Sequence, residues 1–378
     1  MKLKIGILLL HSNAYPTIGR DFVDGLELAL GNAPFELFVE GIGLGADMDQ
    51  ITASVQKLVN QHRVHVLTGL LGHHLIENLI SLVDNLGVPM LYSDLGAKLP
   101  VGAKPKPHIF CNSFNMCHSA FLTGKYLAEQ GMRKVAYSSC FYEVGYGFTQ
   151  AFEQGLYGSG AEFAGHFITP HTPRDNEAKA MLQFINDVNP DAFYAQYSGI
   201  FAQEHATFLN QNKVSLQYPM FASHFAVENK VLDQFPGIFD QTHFVTSWLP
   251  EDQNPATQQF VGAYNERYDR VPTVFSLLGF ENGKALAQVM DSVQKYTATE
   301  LKKTFDTVSF ESPRGAFNFH PDTHRTNMDQ ALWRIEAANG AYTKQRMVQF
   351  DNQHGLTLEW INKDVALPGG WYNAYLCQ

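Results

Sequence analysis

Apolar and polar positions fall in blocks along this chain, and one arrangement of blocks occurs twice. Residues 3–40 read as a buried strand (Leu3–Leu10), a polar loop, a helix over about Asp21–Leu30 and a second strand (Phe35–Val39). Residues 133–168 repeat the move: strand Lys134–Ser138, a loop, Tyr146-Gly147 at a helix start, then strand Ala161–Ile168. Within that helix Phe148, Ala151, Phe152, Gly155 and Leu156 fall at i, i+3, i+4, i+7 and i+8, one helical face. Two starts of one parallel pattern predict two lobes, and two lobes predict a cleft.

The pattern continues between and beyond these units. Strands are expected near 64–68, 88–92 and 107–111, with helices near 49–62 and 74–86. Strands separated by helices of 10–15 residues predict βαβ crossovers and a parallel sheet. A helix over His118–Gln130 leads into the second unit, which adds strands near 191–195 and 218–222 and helices near 176–188, 201–211 and 225–234. After strand Thr242–Trp248 come helices near 255–268 and 276–295. From Gly315 the pattern turns strand-like over Ala316–Phe319, Met328–Glu336, Gln345–Phe350 and Leu356–Ile361, expected as short antiparallel strands at a lobe's edge.

Composition narrows the function. At 378 residues there is chain enough for two or three domains, and 45% hydrophobic with 17% charged residues suits a well-packed globular protein. A formal charge of −10 argues against nucleic acid, which needs a basic footprint. No apolar run approaches the ~20 residues that span a bilayer. Met1–Leu10 superficially resembles the start of a signal peptide, but its apolar run is short and has no small-residue cleavage site, so it reads as a strand. Periplasmic and cytoplasmic locations both stay open on that ground. Cys111, Cys117, Cys140 and Cys377 show no Cys-x-x-Cys spacing and read as buried or free thiols, with a Cys111–Cys117 bridge as the alternative.

The common catalytic motifs are missing. Gly41-Ile-Gly43-Leu-Gly45 has the wrong spacing for a dinucleotide fingerprint and reads as a turn. There is no P-loop and no G-x-S-x-G elbow. Among fifteen histidines, His62 and His65 diverge across a helix end, His73 and His74 are neighbours, and His320 and His324 share a loop, so no metal is expected. Neither a cofactor nor an enzymatic activity is expected.

What remains sits where strands end. Gly69-Leu-Leu-Gly72-His73-His74 joins a strand to a helix N-terminus, where free N–H groups favour acceptors; a plain turn with surface histidines explains it equally well. Tyr92-Ser93-Asp94 is the next such exit, and Tyr146-Gly147 opens the second unit's first helix. Tyr194–Gly199, holding Tyr197, and Ser223-His224-Phe225 finish two further strands, while Tyr15 lies in the first polar loop. Any one of these is weak, but together they set aromatic and polar residues at the carboxyl ends of both sheets.

The order of these signals resembles the type I periplasmic solute-binding proteins of ABC transporters, notably their branched-chain amino acid and amide/urea-binding branches. Ile5–Leu10 with Gly19 and Asp24–Ala29, Val66–Gly69, Leu86–Met90, Lys134–Tyr137 with Tyr146-Gly147, and Leu278–Asn282 line up with the family in order. Ser312–Gly315, His320-Pro-Asp322, His324 and Ala331–Ile335 resemble the amide- and urea-binding branch most. Tyr146 and Tyr197 are carried over from the family pattern. The family's ligand-holding serine falls instead at about His73, its small-residue and threonine pair near Asp94 and Gly96, and its acidic residue near His224. An ordinary α-amino acid thereby loses much of its coordination.

The resemblance implies an α/β type I periplasmic-binding fold: two Rossmann-like lobes with parallel sheets joined by three crossovers. The lobes would comprise 1–117 plus 249–325, and 118–248 plus 326–378. A small polar ligand (amino acid-like, amide or urea-like) would be captured in the interlobe cleft by hinge closure. Tyr15, His73, His74, Ser93, Asp94, Tyr146, Tyr197, His224 and Phe225 are the candidate contacts. The implied partner is an ABC transporter permease in the periplasm, with the protein a monomer or weak dimer. The alternative is a cytoplasmic or membrane-associated ligand sensor of the same fold controlling a regulator.

Overall fold

The computed structural model describes residues 2–72, 75–172, 177–212, 218–363 and 370–377. Its first third builds a five-stranded parallel sheet from β1 (Leu3–Leu9), β2 (Phe35–Gly41), β3 (Val66–Leu70), β4 (Met90–Asp94) and β5 (Ile109–Ser113). Between these strands run α1 (Ile18–Leu30), α2 (Met48–Gln56) and α3 (Ile76–Leu86). Then follow α4 (Met116–Glu129), β6 (Lys134–Cys140), α5 (Phe148–Gly158), β7 (Glu162–Thr169), α6 (Glu177–Val188), β8 (Ala192–Gln196), α7 (Gly199–Asn212), β9 (Met220–Ala222), the short α8 (Asn229–Leu232) and β10 (His243–Thr246). The last third adds α9 (Pro255–Tyr268), α10 (Val274–Ser292), α11 (Ala298–Phe305), β11 (Ser309–Ser312), β12 (Gly315–Asn318), β13 (Gln330–Ala338), β14 (Ala341–Phe350) and α12 (His354–Ile361).

The first sheet runs β2-β1-β3-β4-β5, and the second contains β7-β6-β8-β9-β10, the same order. The repeated hydrophobic blocks therefore become a repeated topology. Antiparallel β13 and β14 extend the second sheet beyond β10, as strand-like patterning near the chain's end suggested. Leu356–Ile361 departs from the expectation. Leu356, Leu358 and Trp360 alternate as in a strand, but the buried residues are Thr357, Trp360 and Ile361 at i, i+3 and i+4, and the segment is α12. Its burial surface is α4, where His118 Nε2 lies 2.9 Å from the Thr357 hydroxyl and Trp360 meets the His118 ring edge-on. The segment 298–312 holds α11 and β11, which the sequence reading did not assign.

Each half also has one helix pair pressed to backbone distance. A Cβ placed on Gly279 of α10 would lie 1.9 Å from the Phe22 carbonyl oxygen of α1, and one on Gly25 equally close to that of Ser276. Gly124 of α4 and Gly155 of α5 meet in the same way. Gly279→Ala should therefore force α1 and α10 apart and destabilise the protein by about 1–3 kcal/mol, the usual cost of overpacking. Gly262→Ala on α9, where nothing lies within 4 Å, should instead stabilise by up to ~1 kcal/mol through helix propensity. Urea unfolding of both variants checks the contrast; two shifts of the same sign would contradict the packing argument.

Three connections pass between the sheets, and one side chain ties two of them. Arg314 is fully buried; its Nε and Nη2 donate to the two carboxylate oxygens of Glu281 at 2.9 and 2.6 Å. Nη2 also donates to Asn112 Oδ1 (2.8 Å), and Nη1 to the Ser113 carbonyl (2.9 Å) and Ser247 hydroxyl (3.4 Å). Ser113 leaves β5 for α4, Ser247 leaves β10 for α9, and Thr326, whose hydroxyl accepts from the Ser113 N–H, leads from β12 to β13.

Candidate functional site

Loops at the carboxyl ends of the two sheets meet. The Gly147 N–H donates to the Ala97 carbonyl (2.8 Å), joining the turn before α5 to the loop after β4. Tyr15, in the loop after β1, reaches the other side: its hydroxyl donates to Glu228 Oε2 (2.8 Å) and accepts from the Gly199 N–H (3.1 Å). Its ring is edge-on to Phe225 and Phe275 and lies 4.0 Å from the Lys230 ammonium. The two sides are thus clasped.

Behind that clasp lies an aromatic chamber with a carboxylate in it. Tyr142, Tyr146, Phe148 and Phe225 surround the ring of Tyr375, with centroids 4.7 Å from Tyr146 and 5.0 Å from Phe148. Glu143, 1% exposed, accepts from the Ser198 hydroxyl at 2.5 Å, the Tyr375 hydroxyl at 2.9 Å and Gln196 Nε2 at 3.3 Å. Burial pushes its pKa up to about 7, against the pull of those three donors. The carboxyl is therefore poised to change charge near neutrality.

The other candidates divide. Tyr146 faces the chamber and donates its hydroxyl proton to Tyr142 (2.8 Å); Phe225 forms part of the wall. Asp94 lines a cavity of about 60 Å³ beside Tyr375, but its oxygens are already held by Arg325 (2.9 Å), the Ser113 hydroxyl (2.5 Å) and the Gly96 N–H (2.9 Å). Ser93 is fully buried, and its hydroxyl has no partner among the described residues. Tyr197 is not brought to the chamber: its ring stacks on His205 at 4.1 Å and its hydroxyl meets Ser138 inside the second sheet's layer. His224 lies between Phe114 and Phe225, where burial and then Lys344 hold its pKa down to about 3, so it stays neutral. With Tyr15 it borders a second, more open cavity of about 470 Å³ that includes Glu228, Lys230 and Lys344. His73 and His74 lie outside the described residues.

Sequence reasoning missed Tyr142, Glu143 and Tyr375. A signal existed for the first two, since Phe141-Tyr142-Glu143 leave β6 at its carboxyl end. None existed for Tyr375, whose arrival is purely tertiary. Elsewhere His320, Asp322 and His354 bring ligating atoms within 4.8 Å of one another, a set with the chemistry to hold a transition metal. The cysteines are all free thiols, and among the described residues no helix is long and apolar enough to cross a membrane.

A family model described as "Periplasmic binding protein" matches residues 2–341. Among solved structures the chain resembles an ABC transporter substrate-binding protein from Sphaerobacter thermophilus (TM-score 0.81, 22% identity, covering 93% of this chain and 99% of that one). It also resembles a solute-binding protein from Rhodopseudomonas palustris BisB5 in complex with 3,4-dihydroxybenzoic acid (0.78, 17%, 93% and 98%). A third likeness is to a leucine-binding protein from Thermotoga maritima (0.70, 16%, 92% and 99%). No curated protein sequence matches the chain.

Proposed function

We propose that this chain, which belongs to the periplasmic binding protein family, captures a small polar organic solute in its aromatic chamber and presents it to an ABC transporter permease. Its lobes are taken as 1–117 plus 249–325 and 118–248 plus 326–378, turning about the connections that Arg314 ties. The observation that carries the reading is Glu143 standing among Tyr142, Tyr146, Phe148 and Phe225, opposite loops from the first sheet. Rings supply a face for the solute's apolar body, and Glu143 supplies an acceptor for an amide, amine or hydroxyl. The related proteins crystallised with leucine and with hydroxybenzoates support that range without choosing within it. Membership of a substrate-binding family supports a binder rather than a catalyst.

A thermal-shift screen of amino acids, amides, ureas and aromatic carboxylates tests this, because a ligand at a hundred times its Kd stabilises by about 2.7 kcal/mol. Tyr146→Ala should weaken the best ligand about fivefold or more, as loss of an aromatic face removes on the order of 1 kcal/mol or more. An affinity kept within twofold would place the solute elsewhere.

A further inference from the structure

The chamber is filled by the protein itself. Ala374, Tyr375, Leu376 and Cys377 are no more than 4% exposed, although they reach the cleft from far along the chain. Their contacts come from both sides, as a solute's would. On the first side the Leu44 carbonyl accepts from the Ala374 N–H (3.1 Å), and the Ser12 hydroxyl donates to the Leu376 carbonyl. On the second, the Tyr142 hydroxyl accepts from the Leu376 N–H (3.0 Å), and the Tyr142 carbonyl accepts from Trp371 Nε1 (2.8 Å). Tyr375 puts its ring in the aromatic cage and its hydroxyl on both oxygens of Glu143, at 2.9 and 3.2 Å.

Two further observations separate this arrangement from ordinary core packing. Leu376 has φ of +69°, a left-handed backbone that is unfavourable for leucine, so the segment is held at a conformational cost. The cavity that touches Tyr375 lies outside the cage, against Leu70, Tyr92, Asp94 and Leu99, and holds about 60 Å³, less than the ~150 Å³ of a cavity that admits benzene. Inside the cage the Tyr375 ring is in contact with Tyr146 and Phe148, so a solute's ring cannot take that place while Tyr375 holds it.

We propose that residues 370–377 are the cleft's internal occupant, with Tyr375 standing in for the solute. The solute is then an aromatic compound carrying a hydroxyl donor for Glu143, and it binds by displacing this segment. The inference rests on the solute-binding reading above. It adds that solute and segment 370–377 exclude each other, so affinity is set by their competition.

The test uses full-length protein and 4-methylphenol, which has the ring and hydroxyl of the tyrosine side chain. By titration calorimetry, Tyr375→Ala should bind it at least tenfold tighter than the unsubstituted protein does, while toluene, lacking the donor, gains no more than twofold. Tyr375→Phe covers the case in which the alanine variant does not fold: it keeps the ring, loses the grip on Glu143, and should bind the best solute of the thermal-shift panel severalfold tighter. Hydrogen exchange at the 374 and 376 amides should accelerate when that solute binds. A 4-methylphenol affinity of folded Tyr375→Ala within twofold of the unsubstituted protein overturns the proposal, as does an unchanged solute affinity in Tyr375→Phe. If a solute binds in a Tyr146-dependent way while the 374 and 376 amides stay protected, displacement is wrong and the solute-binding reading stands. If no panel solute depends on Tyr146, that reading fails instead, and 4-methylphenol alone decides whether Tyr375 fills a phenol-shaped place.

Discussion

Arg314→Ala is expected to destabilise the protein by about 3–5 kcal/mol, the cost of leaving a buried charge without its partner. Glu281 is fully buried, and among the described residues it accepts, besides Arg314, only from Ser312 and Asn112, neither of which carries a charge. The guanidinium also satisfies the Ser113 carbonyl, so its removal strands that acceptor on the first connection, while among the described residues Asn112 Oδ1 keeps only the Thr326 hydroxyl at 3.3 Å. Arg314→Met/Glu281→Leu, which removes both charges and keeps volume, should recover more than half of the loss. Urea unfolding of the single and double variants checks this. A single variant within 1 kcal/mol of the unsubstituted protein would mean the pair is not holding the connections. Because Ser113 and Ser247 belong to separate connections, a loss there should also loosen the relative placement of the two sheets, read as lower solute affinity in the surviving folded fraction.

Much of the fold was legible because βαβ units write themselves into sequence. A buried parallel strand is a short apolar run and its crossover helix a striped one, so the two starts at Leu3 and Lys134 were visible without any long-range information. Leu356–Ile361 misled because six residues are too few to separate period 2 from period 3.6, and α4, which decides the matter, is distant in sequence. The site was legible only as places, not as contacts. Strand ends pointed to Asp94 and Phe225, a polar loop to Tyr15 and a helix start to Tyr146; Tyr15, Asp94 and Phe225 line cavities, and Tyr146 packs on Tyr375. Tyr197 also ends a strand, but its side chain leaves on the face that packs against α7, a choice strand position alone does not fix. That Arg325 saturates Asp94, or that Tyr375 reaches Glu143, depends on pairings across 231 and 232 residues.

Glu143→Gln should change how stability depends on pH, because Glu143 has an ordinary pKa of 4.5 when unfolded and about 7 when folded. Between those values the folded protein keeps a proton that the unfolded chain has lost. This group's contribution is therefore full below about pH 4.5 and is lost as pH rises through about 7. Above that, the protein carries a buried carboxylate, at a cost of roughly 3 kcal/mol relative to acid conditions. Glutamine does not titrate, so the stability of Glu143→Gln minus that of the unsubstituted protein should rise by about that amount between pH 4.5 and pH 8. Unfolding curves that stay parallel across this range would show that Glu143 is ionised throughout. The same titration bears on the chamber's selectivity. A carboxylate accepts from Ser198, Gln196 and the hydroxyl of Tyr375, whereas a protonated acid must itself donate to one of them. A solute hydroxyl that replaces that of Tyr375 meets the same carboxylate, so any gain in affinity above pH 7 is limited to donors the solute brings beyond that hydroxyl, and it should vanish in Glu143→Gln.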